Sequence, residues 1–324
     1  MPVPDVTISI VNHEHRELLL ECLATVTARP VPGRTAEIVV LDNASGDGSV
    51  EAVAAAFPQL RVLAHRRRAG FGANHNTVIR ATTGRHVLLL NDDAMIAPEA
   101  VGVLVDHLDA HPELGAVAPR LLNPDGTHQA SAWRFPTPAA AAVGTLTLGR
   151  RGVTQSAGTA PRRVDWATGA VLLLRRAALD RVGLFDEGFF MYAEETDLLR
   201  RMADGGYGTA YLPGVTAVHH GQGSSAGVPE RRINEQWRSR HRYWRKHHAA
   251  PAARLAGLLT GAQYGLRAGV ATAVLRLPVR RRPVAVEPLD PARYRLHARD
   301  ALGVRGPGLA ELAEEFNARQ AVDR

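Results

Sequence analysis

Short apolar runs alternate with helical stretches along the first third of the chain. The apolar runs are residues 6–11, 37–41, 61–64, 86–90 and 115–118. The stretches between them, 17–26, 49–57, 74–81 and 98–110, carry apolar residues at helical spacing or helix-forming residues, and the third of these follows a predicted Gly-Phe-Gly turn at 70–72. Strands that alternate with helices at this interval predict an α/β fold, in which helices flank a mainly parallel sheet.

The pattern changes beyond residue 120. A strong turn signal, Asn123-Pro-Asp-Gly126, precedes runs at 164–166, 171–174, 209–212 and 215–218 that read as strands, and 193–203 reads as a helix. These shorter elements predict an α+β extension of the same sheet rather than an independent domain.

From about residue 229 the chain becomes helical and strongly basic. Residues 231–283 hold thirteen basic residues and one acid, whereas the rest of the chain is net acidic, although the whole chain carries +7. The apolar stretch 252–275 is interrupted by Arg254, Gln263 and Arg267. The piece between the two arginines has only about twelve residues, whereas a membrane span needs roughly 20. It could lie in a membrane interface, and a packed helix pair with a solvated basic face is the alternative.

Composition narrows the class of protein. With 324 residues, 45% of them hydrophobic, the chain is long enough for a large buried core. The single cysteine, Cys22, excludes a disulfide framework and a cysteine-based zinc site. No charged and then apolar leader opens the chain, so we expect a cytoplasmic protein.

Acidic residues and histidines follow several predicted strands. Asp92 and Asp93 end the run 86–90, and adjacent carboxylates favour Mg²⁺ or Mn²⁺, although a helix N-cap would also explain them. The acids of 194–197 either favour the dipole of a helix start or include a general base. The pair His219 and His220 is either a polar strand end or a source of metal ligands. The loop 42–49 is neither a P-loop nor a dinucleotide fingerprint, and a capped connection from strand to helix would explain it. The glycine-bracketed segment 70–76, which follows Arg66–Arg68, is commonly a structural turn.

Taken in order, these motifs resemble the inverting family 2 glycosyltransferases of the GT-A fold, near the rhamnosyltransferase-like enzymes of bacterial cell-wall and polysaccharide biosynthesis. The first four motifs are Ile8-Ser-Ile-Val-Asn-His13, Leu41-Asp-Asn-Ala-Ser-Gly-Asp-Gly-Ser49, Gly70-Phe-Gly-Ala-Asn74 and Leu89-Leu-Asn-Asp-Asp93. The others are Val164-Asp-Trp-Ala-Thr-Gly-Ala170, Phe185-Asp-Glu187, Met191-Tyr-Ala-Glu-Glu-Thr-Asp-Leu198 and His219-His-Gly-Gln-Gly-Ser224. The resemblance extends from about residue 6 to 248.

The resemblance implies a site. The positions that would bind the nucleotide sugar are Asn12, His13, Glu14, Asp42, Asn74, Asp92, Trp166, Thr168 and Gly169. Asp42 would accept a hydrogen bond from the base. Asp93 and His219, with His220 as an alternative, would hold Mg²⁺ or Mn²⁺. Glu195 stands where the family usually has an aspartate as catalytic base, so Glu194 or Asp197 could share that role.

The resemblance also implies a division of the chain and a set of partners. We expect a GT-A catalytic domain at 1–228, with a nucleotide-binding half at 1–118 and an acceptor half at 119–228. A basic amphipathic helical segment at 229–283 and a partly helical tail at 284–324 follow. The donor would be a nucleotide-diphospho-sugar, with dTDP-rhamnose as the preferred candidate, and the acceptor a glycan or polyprenyl-diphosphate-linked glycan.

Some alternatives stay open at this point. Peripheral contact with the inner face of the plasma membrane through 231–282, with Trp237, Trp244 and Leu258 in the interface, would bring the site to such an acceptor. We expect no nucleic-acid partner, and the basic segment leaves a homo-oligomer open. A sugar nucleotidyltransferase is disfavoured because no Gly-rich basic loop follows the first strand. A processive synthase would carry membrane spans, and a non-catalytic basic scaffold binding membrane or RNA would not need acids at three strand ends.

Overall fold

The computed structural model describes residues 2–148, 154–221, 228–277 and 290–322. The strands are β1 (Val6–Asn12), β2 (Ala36–Asp42), β3 (Arg61–Ala64), β4 (His86–Asn91), β5 (Ala94–Met95), β6 (Leu114–Leu122), β7 (His128–Gln129), β8 (Ala132–Trp133), β9 (Arg162–Val164), β10 (Trp166–Ala167), β11 (Val171–Arg175) and β12 (Gly208–His219). The helices are α1 (Arg16–Val26), α2 (Ser49–Ala56), α3 (Phe71–Arg80), α4 (Pro98–Ala110), α5 (Pro138–Leu146), α6 (Arg176–Val182), α7 (Glu194–Asp204), α8 (Pro229–His247), α9 (Ala250–Arg276), α10 (Pro291–Leu302) and α11 (Leu309–Val322).

The main sheet confirms the predicted α/β class. Its order is β3-β2-β1-β4-β11-β6-β12-β5, and the first four strands of that order are parallel. Strand β11 lies antiparallel between β4 and β6, and β12 pairs parallel with β6. The predicted extension of the same sheet is therefore also confirmed. In a sheet of this kind ligands bind beyond the carboxyl ends of the parallel strands.

Helices cover both faces of the sheet, which is why β1 is buried along most of its length. On one face Ile8 and Ile10 of β1 pack in the main core with Leu23 of α1 and Leu104 of α4. On the other face Val39 and Leu41 of β2 pack with Val78 of α3. This two-sided burial produces the continuous apolar runs by which the parallel strands were predicted.

The predicted Gly-Phe-Gly turn is wrong, because α3 already begins at Phe71. The two glycines serve close packing instead. A Cβ at Gly70 would overlap the backbone of Phe190, and a Cβ at Gly72 would lie 2.8 Å from the side chain of Phe185. The N-terminus of α3 and the segment before α7 are thereby held against each other.

Three further elements differ from the predicted pattern. The runs 209–212 and 215–218 form one strand, β12, whose register against β6 shifts between Leu212 and Thr216. The run 164–166 is divided between β9, which pairs with β12, and β10, which pairs with β8 in a separate two-stranded sheet. Helix α6 follows β11 directly, with no loop signal to announce it.

The chain divides into two compact units. The first comprises 1–133, 154–227 and 310–324, and the second comprises 134–153 and 228–309. The second unit is helical: α9 packs against α10 and α5, and the missing side chains of Gly257 and Gly261 allow close approach to Ala301 and Leu302. Among the described residues, no helix has the length and hydropathy that crossing a bilayer requires.

The structure corrects the expected membrane contact of two tryptophans in α8. Trp237 and Trp244 are only 6% and 2% exposed. The indole of Trp237 donates to Nδ1 of His297, and that of Trp244 donates to the carbonyl of Pro136. These aromatic residues hold helices together, whereas Leu258 of α9 is 60% exposed as expected. Residues 278–283 of the predicted basic segment lie outside the described residues.

Candidate active site

The carboxyl ends of β1 and β2 bring the first predicted residues together. Asn12 and Asp42 occupy the same register position, and the Asn12 amide donates to Oδ1 of Asp42 at 2.8 Å. The other oxygen of Asp42 accepts the backbone N–H of Ser45 at 2.9 Å. Asp42 is therefore buried and fixed in orientation, yet each carboxylate oxygen retains a second lone pair for a ligand.

Asp92 is also buried, directly beyond β4. It accepts the backbone N–H of His13 at 3.1 Å and lies 3.3 Å from Nδ1 of His15. Burial raises the pKa of Asp92, and the hydrogen bond to Asp92 raises the pKa of His15. For His13 burial has the opposite effect and lowers the pKa of its ring. His15 was not among the predicted residues, because only the fold brings it to the end of β4.

Asp93 and His219 meet where β12 pairs with β5. His219 lies opposite Ala94 in the register, and its Nε2 is 3.2 Å from Oδ1 of Asp93. Burial would raise the pKa of Asp93, but the hydrogen bond and charge of His219 outweigh it, so the net shift is downward. His220 reaches Asp93 through its backbone N–H, which donates to the Asp93 carbonyl at 3.0 Å. Residues 222–224 of the same motif lie outside the described residues.

The donor set at Asp93 fits a hard divalent cation that is completed by other ligands. A carboxylate oxygen and an imidazole nitrogen both suit Mg²⁺ or Mn²⁺, which usually share their shell with water and substrate phosphates. Within the described ranges, no group of three or more His, Cys, Asp or Glu side chains is arranged to hold a metal. A cation here would therefore share Asp93 and His219 with other ligands, such as water or substrate phosphates.

The predicted catalytic carboxylates begin α7, a separate element that packs on β10 and β12. Glu194 is buried and Glu195 is half-buried. Asp197 is fully buried and paired with Arg201 at 2.9 Å, and that guanidinium also donates to the carbonyls of residues 182–184. Asp197 therefore anchors the segment before α7, and the two glutamates are the better candidates for proton transfer.

Residues in the left-handed backbone region cluster in the loops of this site. Glu14, Ala44, Tyr192 and Ala193 all have φ between 57° and 69°. The first two lie after β1 and β2, and the other two directly precede Glu194. Non-glycine residues in this region store strain that the surrounding structure must hold, and such strain concentrates at functional sites.

A pair of stacked tryptophans marks the predicted acceptor side. The rings of Trp166 and Trp133 lie 4.6 Å apart, on the paired strands β10 and β8. The N–H of Thr168 donates to the carbonyl of Ser131, and a Cβ at Gly169 would lie 2.9 Å from the ring of Phe71. Trp133 was missed by the sequence reasoning.

Asn74, predicted to bind the nucleotide sugar, is buried on α3. Its amide Nδ2 donates to the carbonyl of Ala69 at 3.3 Å. It thus supports the loop between β3 and α3 from within.

The same loop is held from the other side by the C-terminal helix. The Asn317 amide makes a reciprocal pair with the backbone of Arg68, accepting from its N–H at 2.7 Å and donating to its carbonyl at 3.0 Å. The Arg68 guanidinium pairs with Glu14 at 2.7 Å and lies 3.8 Å from the Phe316 ring centroid. No local pattern in the sequence announces contacts across 249 positions.

Comparisons with known proteins show the family to which the chain is similar. A family profile described as glycosyl transferase family 2 matches residues 6–181. An N-acetylglucosaminyl-diphospho-decaprenol L-rhamnosyltransferase of Mycobacterium tuberculosis (strain CDC 1551 / Oshkosh) is 29% identical over 248 residues, covering 70% of this chain and 78% of the relative.

Two solved structures share the fold. The mannosyltransferase PcManGT from Pyrobaculum calidifontis, in complex with GDP-Man and Mn²⁺, matches with a TM-score of 0.56 and 20% identity, covering 99% of this chain and 85% of that one. GalNAc-T7 with UDP, GalNAc and Mn²⁺ matches with a TM-score of 0.55 and 15% identity, covering 97% and 56%. The chain therefore has the expected GT-A fold.

Proposed function

Because this chain belongs to glycosyl transferase family 2, we propose that it moves a sugar, with inversion, from a nucleotide-diphospho-sugar to a hydroxyl of a glycan or lipid-linked glycan. The pairing of Asp93 with His219 beyond the parallel strands is the observation that carries the proposal. A cation held by this pair would lie at the edge of the sheet where nucleotide ligands bind in α/β folds.

For the donor we propose dTDP-rhamnose, and for the acceptor a polyprenyl-diphosphate-linked sugar. The name of the mycobacterial relative, which covers 70% of the chain, supports both choices. Asp42 would accept a hydrogen bond from the N–H of the pyrimidine ring. Asp92, held by His13 and His15, would lie beside the donor sugar and its diphosphate.

Glu195 is proposed as the catalytic base. It would accept the proton of the acceptor hydroxyl while that oxygen attacks the anomeric carbon from the face opposite the nucleotide. The position of Glu195 in the first turn of α7 favours its anionic form. Asp93 and His219 would hold Mg²⁺ or Mn²⁺, whose positive charge offsets the charge on the departing diphosphate. Trp166, stacked on Trp133, would present an apolar face to the acceptor sugar.

We further propose that α9 brings the protein to a membrane. Four exposed apolar residues lie along one face of this helix, and they are Leu255, Leu258, Leu266 and Val270. Exposed Arg254 and Arg276 would suit anionic headgroups. A helix with such an exposed face would lie in the interface rather than across the bilayer.

The test is a transfer assay with purified full-length protein. A lipid-linked N-acetylglucosamine acceptor is incubated with dTDP-rhamnose or with UDP- and GDP-sugars, each with Mn²⁺, with Mg²⁺ and with a chelator. We expect release of dTDP and a product of opposite anomeric configuration, lost on chelation. Product from another donor alone would overturn the choice of rhamnose, and no product from any donor would overturn the transferase proposal.

The membrane proposal has a separate test. Flotation with vesicles containing anionic phospholipid compares the wild type with Leu258→Asp and with the control Val103→Asp, an exposed apolar residue of α4 in the sheet unit. We expect only Leu258→Asp to weaken binding. Equal flotation of all three proteins would contradict the role of α9.

A further inference from the structure

We propose that Gln129 is a positioning residue, which fixes the tautomer of His219 so that Nε2 faces Asp93 as a metal ligand. The inference rests on the metal site of the proposed function. It comes from a series of hydrogen bonds that starts in the turn Asn123-Pro-Asp-Gly126, directly after β6.

Asp125 determines which group donates and which accepts in this series of hydrogen bonds. The hydrogen bonds from Thr127 lower the pKa of Asp125, and an ionised carboxylate can only accept. The Thr127 hydroxyl must therefore donate its proton to Asp125, at 2.6 Å. Its oxygen then acts as acceptor for Nδ2 of Asn123 at 2.9 Å. This contact identifies the amide nitrogen of Asn123, so its Oδ1 points the other way.

Gln129 takes its orientation from the same series of hydrogen bonds. Its Nε2 donates to Oδ1 of Asn123 at 2.9 Å and to the backbone carbonyl of His219 at 3.1 Å. Both partners are acceptors, so the amide cannot be reversed without losing two hydrogen bonds. Oε1 of Gln129 therefore faces Nδ1 of His219, at 2.7 Å, as an acceptor.

An acceptor at this place requires a proton on Nδ1. In the neutral imidazole the lone pair then lies on Nε2. That nitrogen is 3.2 Å from Oδ1 of Asp93 and 3.4 Å from the amide nitrogen of Asn91. A proton on Nε2 gives the hydrogen bond to Asp93 described above, and a divalent cation would take the place of that proton. In known metal sites an acceptor on the other ring nitrogen fixes the tautomer and the orientation of the ligating histidine.

The register of the strands makes the arrangement specific to Gln129. Strand β7 pairs antiparallel with β6, and Gln129 lies opposite Leu121. Strand β12 pairs parallel with the other edge of β6. Gln129 thus reaches across the end of β6 to the last residue of β12. The neighbouring His128 is exposed, as expected for the alternation of side chains in a strand.

The test compares Gln129→Leu, Gln129→Glu and the control Gln320→Leu, at an exposed position of α11. Mn²⁺ affinity is measured by electron paramagnetic resonance with dTDP present, and the tautomer of His219 by ¹⁵N NMR of the metal-free protein. Leucine should weaken Mn²⁺ binding about 10- to 100-fold, the range for such supporting residues, and release the Nδ1–H tautomer. Glutamate keeps an acceptor for the Nδ1–H of His219 and should retain that tautomer, although it loses the two hydrogen bonds that the Gln129 amide donates.

Two results would overturn the inference. One is a wild-type tautomer and wild-type Mn²⁺ affinity in Gln129→Leu. The other is a loss of the Nδ1–H tautomer in Gln129→Glu as large as that in Gln129→Leu, which would mean that the acceptor is not what matters. If the wild type itself bound no Mn²⁺, the metal site of the proposed function would fail as well. The NMR measurement separates these cases because it needs no metal.

Discussion

The two compact units place their buried polar groups differently. In the sheet unit, four buried polar residues stand at the carboxyl ends of the neighbouring strands β1, β2 and β4, and they are Asn12, Asp42, Asp92 and Asp93. In the helical unit, buried polar groups join a helix to a segment that is distant in the sequence, as Asn234 does with the carbonyl of Pro307. Convergence at one edge indicates chemistry, whereas dispersal between helices indicates support. Chemistry should therefore depend on the first unit, and contact with a surface on the second.

We expect the largest loss of activity when Glu195, in the sheet unit, is replaced. Replacing it by glutamine removes the proton acceptor and keeps the size of the side chain, so kcat should fall about 10²- to 10⁴-fold with little change in the KM for the donor. Glu51→Gln is the matched control, since Glu51 also lies in the first turn of a helix, α2, and is exposed. Initial rates with saturating donor measure the effect.

The neighbouring carboxylates distinguish chemistry from support within α7. Asp197→Asn should lower thermal stability, because it removes the buried partner of Arg201. Glu194→Gln should leave more activity than Glu195→Gln. If Glu194→Gln were the more damaging of the two, the assignment of the base would move by one residue.

A second prediction concerns a property that the two units share. Burial lowers the pKa of His75 in the sheet unit to about 3 and that of His297 in the helical unit to about 4. Both rings are therefore neutral in the folded protein, while the unfolded chain takes up protons below about pH 6.5. The folded state should be fully stable above about pH 7 and lose stability as the pH falls from there.

Between its folded and unfolded pKa values, each histidine should change the free energy of unfolding by up to about 1.4 kcal/mol per pH unit. Urea denaturation at pH 7.5, 6 and 5 measures the slope. His75→Gln and His297→Gln should each flatten it, whereas His128→Gln, at an exposed position, should not. An equal slope in all four proteins would mean that other groups dominate the acid response.

The local pattern of apolar residues predicted the strands that are buried along most of their length. The run 61–64 coincides with β3, and the runs 6–11 and 86–90 end one residue before β1 and β4, whose apolar residues are buried on both sides and leave a clear signal. The run 37–41 is one residue short at each end of β2, and the run 115–118 stops four residues before the end of β6. The same reasoning divided β12 in two, since Pro213 and Gly214 interrupt its pattern while the shifted register keeps it one strand. A bulge depends on the partner strand, which a local pattern does not contain.

The candidate site was predictable only in part, for a related reason. Asp93 and His219 stand at strand ends, where polar residues interrupt apolar runs, and the structure pairs them. Gln129 and Trp133 carry no such signal, because their roles depend on neighbours 90 and 33 positions away. Asn317 lies further still from its partner, in a tail with no motif that chemistry could be inferred from.

The smallest predicted effect compares two asparagines that hold backbone in the two units. Asn317→Ala removes the reciprocal pair with Arg68, the residue that carries its guanidinium to Glu14 beside the proposed nucleotide pocket. Asn234→Ala removes a similar side-chain contact to backbone, with the carbonyl of Pro307. Each loss should cost about 1 kcal/mol of interaction. Only Asn317→Ala should weaken dTDP binding, and calorimetry should show a decrease in affinity of about 3- to 10-fold.

The second variant should lower the melting temperature and leave dTDP affinity unchanged, because the support it removes lies within the helical unit. Phe316→Leu and Phe316→Tyr refine the comparison: tyrosine keeps an aromatic face under the Arg68 guanidinium, and leucine does not. Equal dTDP affinity in wild type and Asn317→Ala would confine the C-terminal helix to a supporting role. Weaker dTDP binding by Asn234→Ala would contradict the division itself, since a contact inside the helical unit would then affect the chemistry assigned to the sheet unit.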